Sequence, residues 1–171
     1  VPLISEQYRS LQQALHLNPN YGVASLGFAT AVRALADRVG AQSISDYGAG
    51  KQNLRHALER MGVDIEYRPY DPAFPEYGEA LPADLVCCID VLEHIEPIYL
   101  DAVLDDLQRL TLRFGFFTIH TGPAAKVLAD GRNAHLIQQP LSWWKPKLSG
   151  RFQLVQTQAT EGGFIAVVSA L

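Results

Sequence analysis

The sequence predicts an open α/β sheet in which most strands run parallel and the last strand runs antiparallel. Three observations predict this fold. Apolar runs typical of strands alternate with stretches of helical periodicity, and glycines follow the first predicted strand directly. The chain then ends in two strand-like runs, over residues 152–160 and 164–170, which Glu161-Gly162-Gly163 joins as a hairpin.

Two helices are predicted before the first strand. Apolar residues recur at helical spacing over residues 4–15 and again over residues 28–39. Asn18-Pro19-Asn20 interrupts the first pattern, and Gly40 can supply a left-handed cap to the second. We therefore expect one domain over residues 1–171, with a helical cap at 1–40 and the α/β core at 41–171.

The core contains four predicted parallel strands, over residues 43–46, 65–70, 85–89 and 114–119. Pro69 lacks the backbone donor that an inner strand needs, so the second strand is expected at a sheet edge. Residues 72–83 are too few and too rich in proline for a helix and a strand, which predicts a loop. Helices are predicted over residues 54–61 and after Pro97, whereas residues 121–150 are predicted to be mainly irregular.

Polar residues stand at the carboxyl ends of these four strands, namely Asp46, Asp71, Asp90 and His120. Ligands of open α/β sheets bind in the crevice outside those ends. We therefore expect these four side chains to surround one crevice.

A glycine loop follows the first strand, in the segment Asp46-Tyr47-Gly48-Ala49-Gly50-Lys51. Glycines at this place let the backbone turn tightly and approach a ligand closely. Asp71 ends the next strand at a distance typical of a carboxylate that binds ribose hydroxyls. Asn53 occupies the third glycine position of the dinucleotide pattern, which disfavours a nicotinamide oxidoreductase. The spacing indicates a nucleoside site, with a plain tight turn as the alternative.

These motifs resemble those of the class I S-adenosylmethionine-dependent methyltransferases, over roughly residues 40–171. The matching positions are Asp46-x-Gly48-x-Gly50, Asp71, the segment 83–94 and the terminal hairpin. The resemblance implies a Rossmann-like sheet that has lost its usual third strand, because only the loop 72–83 stands in that place. Gln52 replaces the usual third glycine of the loop. The end of the missing strand normally supplies a carboxylate near the adenine.

The resemblance also implies roles for individual residues in binding S-adenosylmethionine. Asp46 would lie near the methionine amino group, and Gly48 and Gly50 would line the methionine and the ribose. Asp71 would hold the ribose diol, and Ile89-Asp90 would flank the amino-acid end or the adenine.

The segment Asp90-Val91-Leu92-Glu93-His94 puts two carboxyl groups and an imidazole at the mouth of the predicted crevice. One interpretation is structural, with Glu93 and His94 ending the strand and meeting the next helix. In a second, His94 is a general base that takes the proton of an acceptor hydroxyl, with Glu93 beside it in the catalytic group. A third adds a divalent metal, Mn, Fe, Zn or Mg, that lowers the pKa of that hydroxyl.

The pattern is similar to the acid-x-x-Glu-His signature of the ubiquinone-pathway O-methyltransferases and the small-RNA 3′-terminal 2′-O-methyltransferases. In both groups such residues are associated with a divalent cation, and in the RNA enzymes a further histidine completes the site. The resemblance implies the ligand set Asp90, Glu93, His94 and His135, with His120 as the competitor for the last position. A metal and a metal-free histidine base both remain open at this point.

The acceptor is predicted to be a small hydroxylated molecule or the end of a glycan rather than RNA. The formal net charge is −4, and the sequence has no run of Lys and Arg typical of nucleic-acid binding. Trp143 and Trp144 suit stacking on a sugar or a base, although core packing explains them equally well. His16 precedes the turn after the first predicted helix and Tyr21 follows it, and for both residues contact with a substrate is the alternative to a structural role.

The remaining expectations concern the compartment and the class of protein. No apolar stretch is long enough to span a bilayer, and the adjacent Cys87 and Cys88 predict a buried strand rather than a disulfide framework. We expect a cytoplasmic protein, and the start at Val1 is compatible with a piece of a larger polypeptide. The leading hypothesis is an O-methyltransferase. The alternatives are a cofactor-binding domain without catalytic activity and an RNA 2′-O-methyltransferase.

Overall fold

The computed structural model describes residues 2–171 and is built around a six-stranded sheet. The strands are β1 (Ser43–Tyr47), β2 (Glu66–Tyr70), β3 (Ala83–Ile89), β4 (Thr111–His120), β5 (Gln153–Thr160) and β6 (Gly163–Ser169). Their spatial order is β2-β1-β3-β4-β6-β5. The first four strands run parallel, while β6 is antiparallel to both β4 and β5. The predicted fold class and the terminal hairpin are confirmed.

Five α-helices accompany the sheet, namely α1 (Glu6–His16), α2 (Ala24–Val39), α3 (Asn53–Arg60), α4 (Leu100–Leu110) and α5 (Leu141–Ser149). Single turns of 3₁₀ helix lie at Pro75–Tyr77, Leu92–His94 and Pro97–Tyr99. Gly40 ends α2 in the left-handed conformation, with a φ of 61°, as predicted. The helix α2 and the strand β4 begin several residues earlier than their apolar patterns indicate.

The strand β2 lies at an edge of the sheet, as Pro69 predicts. Between β2 and β3 the chain forms a loop with the single turn Pro75–Tyr77, so no strand stands beyond β2 in the part of the chain that the structure describes. The inner strand β1 has all five of its residues buried, because helices cover both faces of the sheet. The sheet is therefore shortened at the edge next to the glycine loop.

Helices cover both faces of the sheet. On one face, α2 and α3 pack on the sheet through residues such as Val32 and Leu54. On the other face, the apolar stripe of α4 and the side chain of Trp144 in α5 form the larger core. Cys87 and Cys88, neighbours on β3, are free thiols that belong to opposite cores.

The helix α5 differs from the prediction, which made residues 121–150 mainly irregular. Pro146 lies inside α5 and cannot donate the helical hydrogen bond, which is why the sequence pattern suggests a break there. The helix forms because Trp144 and Leu148 are fully buried against the core. Packing therefore overrides the local effect of the proline.

The helix α1 lies across the carboxyl ends of the strands and is fastened to the core by polar contacts. Ser5 donates from its backbone N and its Oγ to the carboxylate of Glu96, both at 2.8 Å. Farther along, Gln13 donates to the carbonyl of Ala73 at 2.7 Å. None of the helices in residues 2–171 has the length and apolarity that crossing a membrane requires.

Candidate functional site

A cavity of about 440 Å³ opens at the carboxyl ends of the parallel strands, beneath α1. All four strand-end residues that the sequence predicts to surround a crevice line it, namely Asp46, Asp71, Asp90 and His120. Its volume lies within the range that is usual for small-molecule sites. Gly48, Gly50 and Ile89, which the resemblance assigns to cofactor binding, line the same cavity.

The glycine loop turns sharply between β1 and α3. Gly48 and Gly50 have φ values of 83° and 49°, in the left-handed region that favours glycine. A methyl group added at Gly48 would lie 2.4 Å from Cγ2 of Val91, so a larger residue does not fit there. Gln52, at the usual third glycine position, also has a left-handed backbone with a φ of 56°. The loop keeps the conformation that a glycine would favour, at some cost in strain.

The carboxylate of Asp71 is held against this loop. It accepts hydrogen bonds from the backbone N of Gly50 at 3.0 Å and from the backbone N of Ala73 at 2.9 Å. Burial raises the pKa of Asp71, while these two bonds oppose the rise. The fixed carboxylate at the cavity wall is compatible with the predicted role in binding the ribose diol.

Asp46 lies beneath the loop and is 4% exposed. Burial raises its pKa to about 7, against the opposing effect of the Tyr67 hydroxyl, which donates to Asp46. Sequence reasoning missed Tyr67, which lies on the neighbouring strand β2. The contact between Tyr67 and Asp46 follows from the register of β1 and β2, in which Asp46 pairs with Pro69, two residues after Tyr67. The sequence alone does not give this register.

Beyond the loop, the side chains of Glu93, His94 and His135 come together. One potential ligand atom from each lies within 4.8 Å of the others. Asp90 is outside this group of three. Its carboxyl lies beside that of Glu93, and its backbone has a left-handed φ of 57°. The structure thus brings together three of the four residues in the implied ligand set.

Glu93 is completely buried behind the cavity wall. Its Oε1 accepts from the backbone N of His120 at 2.7 Å, whereas its Oε2 is buried without a donor. Burial, and then the nearby Asp90, raise the pKa of Glu93 well above its usual value. A buried carboxyl oxygen without a partner is costly, so this atom is suited to a proton or a cation.

Backbone carbonyls orient two of the three nearby imidazoles. His94 Nδ1 lies 2.9 Å from the carbonyl oxygen of Ala134, and His135 Nδ1 lies 2.7 Å from that of Gly122. Because a carbonyl can only accept, each Nδ1 carries the proton and each Nε2 keeps a free lone pair. Burial lowers the pKa of His94 to about 4, which favours the neutral ring. Both residues line the cavity.

His120, the competitor for the fourth ligand position, has the opposite arrangement. Its Nδ1 accepts from the backbone N of Gly122 at 3.2 Å, which places the proton of a neutral ring on Nε2. That Nε2 packs against Gly162, where an added methyl group would lie 2.5 Å away. Hydrogen bonding therefore favours His135 over His120 as a base or ligand.

The donor set of Glu93, His94 and His135 fits a divalent metal. It offers one buried carboxyl oxygen without a partner and two imidazoles that present a lone pair on Nε2. Mixed carboxylate and imidazole ligands suit Mn, Fe and Zn. Backbone carbonyls that bind the other ring nitrogen are typical partners of metal-binding histidines.

A hydrogen-bonded chain joins α1 to the histidine group. The hydroxyl of Tyr21 donates to Gln12 Oε1 at 3.1 Å, and Gln12 Nε2 donates to the hydroxyl of Tyr8 at 2.7 Å. The hydroxyl of Tyr8 then donates to the carbonyl of His94 at 2.6 Å. Sequence reasoning missed Gln12, although its spacing from Tyr8 puts both residues on one face of α1.

The wall of the cavity beyond the histidines is mainly apolar, with Leu3, Ile4, Ile95, Pro123 and Ala124. Lys126 adds one cationic side chain. Trp143 and Trp144 do not line the cavity. Trp144 is fully buried in the core, and Trp143 packs edge-on against it at 5.1 Å. The structure supports core packing for Trp144, whereas Trp143 is half-buried away from this cavity.

No protein-family model matches this sequence, and no curated protein matches it either. Solved structures, in contrast, are similar over nearly the whole chain. Mitomycin 7-O-methyltransferase has a TM-score of 0.67 and 15% identity, over 94% of this chain and 60% of that one. An O-methyltransferase family protein from Burkholderia thailandensis has a TM-score of 0.56 and 10% identity, over 93% of this chain and 62% of that one.

A third structure is closer to this chain in length. It is 1,6-didemethyltoxoflavin-N1-methyltransferase of Burkholderia thailandensis, solved with bound S-adenosylhomocysteine. It has a TM-score of 0.61 and 16% identity, over 99% of this chain and 92% of that one. The chain therefore spans about three fifths of the two O-methyltransferases and most of the N1-methyltransferase. These similarities show that the chain has the fold of S-adenosylmethionine-dependent methyltransferases.

Proposed function

We propose that the protein is an S-adenosylmethionine-dependent methyltransferase that acts on a hydroxyl group of a small molecule. The observation that carries this proposal is that one cavity contains the glycine loop, the fixed carboxylate of Asp71 and the imidazole of His94. The first two groups suit the cofactor, and the third suits an acceptor. The bound S-adenosylhomocysteine in a structure of the same fold supports the choice of cofactor.

His94 is the proposed general base. A hydroxyl is a poor nucleophile until it loses its proton, and the free Nε2 of a neutral His94 can accept that proton. When bound, S-adenosylmethionine supplies an electrophilic methyl group. The resulting imidazolium keeps its Nδ1 hydrogen bond to the carbonyl of Ala134, which also holds the orientation of the ring. Glu93 supports the group by fixing the backbone of His120.

The proposed acceptor is small and mainly apolar, rather than a glycan or RNA. Beyond the histidines the cavity wall carries aliphatic side chains, and neither of the paired tryptophans that could stack on a sugar or a base lines this cavity. Proteins that bind single-stranded RNA commonly stack aromatic side chains on its bases. A small apolar acceptor with one hydroxyl matches this wall better.

The first test of the proposal is cofactor binding to the wild-type chain. We expect isothermal titration calorimetry to detect binding of S-adenosylmethionine and of S-adenosylhomocysteine, because Asp71 and the glycine loop are already in place. NADH serves as the matched control ligand and is expected not to bind. Absence of any heat with S-adenosylmethionine at millimolar concentration would contradict the proposed function.

In a second form of the proposal, a divalent metal at Glu93, His94 and His135 takes the place of His94 as the activating group, because it would occupy the Nε2 lone pair. When bound there, the metal would lower the pKa of the acceptor hydroxyl. We expect Mn²⁺ to raise the unfolding temperature of the chelator-treated protein, because it binds the folded state. The increase should be lost in the variant His135→Ala and kept in His56→Ala, which changes an exposed residue on α3.

The same experiment contains the outcome that contradicts the metal. If Mn²⁺, Mg²⁺, Fe²⁺ and Zn²⁺ leave the unfolding temperature unchanged, and methyl transfer persists in excess EDTA, then His94 acts without a metal. Only this outcome leaves His94 as the proton acceptor, because a metal ligand would have its Nε2 lone pair occupied.

A cofactor-binding domain without catalytic activity is the second candidate. The sheet lacks the strand that would stand beyond β2, and the chain spans about three fifths of two of the methyltransferases that it resembles. This candidate predicts cofactor binding without turnover. An acceptor screen that detects S-adenosylhomocysteine production would therefore separate the two functions.

A further inference from the structure

The last residue of α1 places an imidazole directly on the glycine loop. A methyl group added at Gly50 would lie 2.8 Å from His16 Cε1, and one added at Gly22 would lie 3.0 Å from the same atom. Both glycines have left-handed backbones, with φ values of 49° and 69°. The ring of His16 can approach the loop this closely because neither position carries a side chain.

Packing and hydrogen bonds hold the His16 ring in this place. It meets Tyr21 edge-on at 5.0 Å and Phe74 edge-on at 5.1 Å. The turn after α1 is tied to the loop by Lys51, whose Nζ donates to the backbone carbonyls of Asn18 and Tyr21. His16 is therefore part of the cavity wall, in contact with both the glycine loop and the segment that follows β2.

The Nδ1 atom of His16 is buried and has no hydrogen-bond partner. Such an atom costs free energy in the ligand-free protein. Burial and the nearby ammonium of Lys51 lower the pKa of His16 to about 4, so the ring is neutral near pH 7. A neutral imidazole offers one donor and one acceptor, and a ligand hydroxyl can satisfy either.

The ring of His16 adjoins the cofactor side of the cavity. The Asp71 carboxylate accepts from the backbone N of Gly50, so His16 and Asp71 both adjoin Gly50. A ribose offers two neighbouring hydroxyls, and Asp71 can accept from one of them. We propose that the imidazole of His16 hydrogen-bonds the other ribose hydroxyl of bound S-adenosylmethionine, which makes α1 part of the cofactor site.

This inference rests on the proposed function and names a cofactor contact beyond the motif residues. The His16 contact comes from α1, which precedes the first strand of the sheet in the sequence.

The test compares two ligands that share the ribose and differ in the amino-acid end. S-adenosylhomocysteine carries both parts, whereas 5′-deoxy-5′-methylthioadenosine lacks the amino acid. We expect the variant His16→Leu to weaken both ligands equally, by about three- to tenfold, which is the usual effect of one hydrogen bond. The variant His16→Asn keeps a polar atom near the position of Nδ1, so its affinities are expected to exceed those of His16→Leu.

Controls separate this contact from a general loss of structure. His56→Ala removes an exposed imidazole from α3 and is expected to leave both affinities unchanged. Unchanged affinities in His16→Leu would overturn the contact, as would a loss confined to S-adenosylhomocysteine, which would place His16 at the amino-acid end. Failure of the wild-type chain to bind either ligand would overturn the proposed function itself, and the contact with it.

Discussion

Replacement of His94 by alanine is expected to lower kcat by about 10²- to 10⁴-fold, the usual contribution of a general base. The free Nε2 of His94 is the proposed proton acceptor, and Nδ1 is already committed to the carbonyl of Ala134. The affinity for S-adenosylmethionine should change little, because the proposed cofactor contacts are made by Asp71 and the glycine loop rather than by His94. The measurement is a steady-state assay of methyl transfer, paired with calorimetry on the same protein.

The matched control for this variant is His56→Ala, which leaves the cavity intact and should keep full activity. Similar kcat values for His94→Ala and the wild-type protein would show that His94 is structural. A loss of cofactor affinity as large as the loss of kcat would instead indicate that the variant distorts the whole cavity.

The second large effect is expected from the variant Asp46→Asn, which should stabilise the ligand-free protein while weakening the cofactor. Burial raises the pKa of Asp46 from 3.8 to about 7, so the folded state favours the protonated carboxyl. The stability that this preference provides is fully present below about pH 4 and is lost as the pH rises through 7. Above pH 7 the folded protein carries a buried carboxylate, which an asparagine would remove.

Urea denaturation at pH 5 and at pH 8 measures this effect. At about 1.4 kcal/mol for each pKa unit, the gain in the free energy of unfolding at pH 8 amounts to a few kcal/mol at most. At pH 5 the difference between the two proteins should be smaller, because Asp46 is then protonated in the folded state. Equal differences at the two pH values would contradict the raised pKa.

The same variant is expected to bind S-adenosylmethionine at least about tenfold more weakly, since the proposed partner of the methionine amino group loses its charge. Tyr67→Phe provides a related comparison. It removes the hydroxyl that favours the charged form of Asp46, so it should weaken the cofactor in the same direction, but less. Calorimetry at pH 8 on the three proteins checks this order.

Local patterns in the sequence were sufficient for the sheet and for the residues that line one end of the cavity. Apolar runs that end at polar residues predict the strands, and parallel strands bring their carboxyl ends to one edge of the sheet. For this reason the sequence alone places four side chains around one cavity, namely those of Asp46, Asp71, Asp90 and His120. The position of β2 followed equally locally, from the missing donor of Pro69.

Contacts between distant segments could not be predicted in this way. The choice of His135 over His120 depends on which backbone groups bind each Nδ1, and sequence spacing carries no such information. The place of His16 depends on how α1 crosses the sheet, which tertiary packing decides. The sequence left two interpretations of Trp143 and Trp144 open for the same reason. Whether a tryptophan packs in the core or is free to stack on a ligand depends on its burial, which tertiary packing decides.

The two adjacent free thiols of β3 can report local opening of the structure through their rates of chemical labelling. Cys87 faces the core beneath α2 and α3, and Cys88 faces the core beneath α4 and α5. Burial excludes an alkylating reagent from both thiols. Burial also raises the pKa of both thiols well above the usual value, so little reactive thiolate forms while the helices stay packed on the sheet. The labelling rate of Cys87 therefore reports how often α2 and α3 separate from the sheet, and that of Cys88 reports the same for α4 and α5.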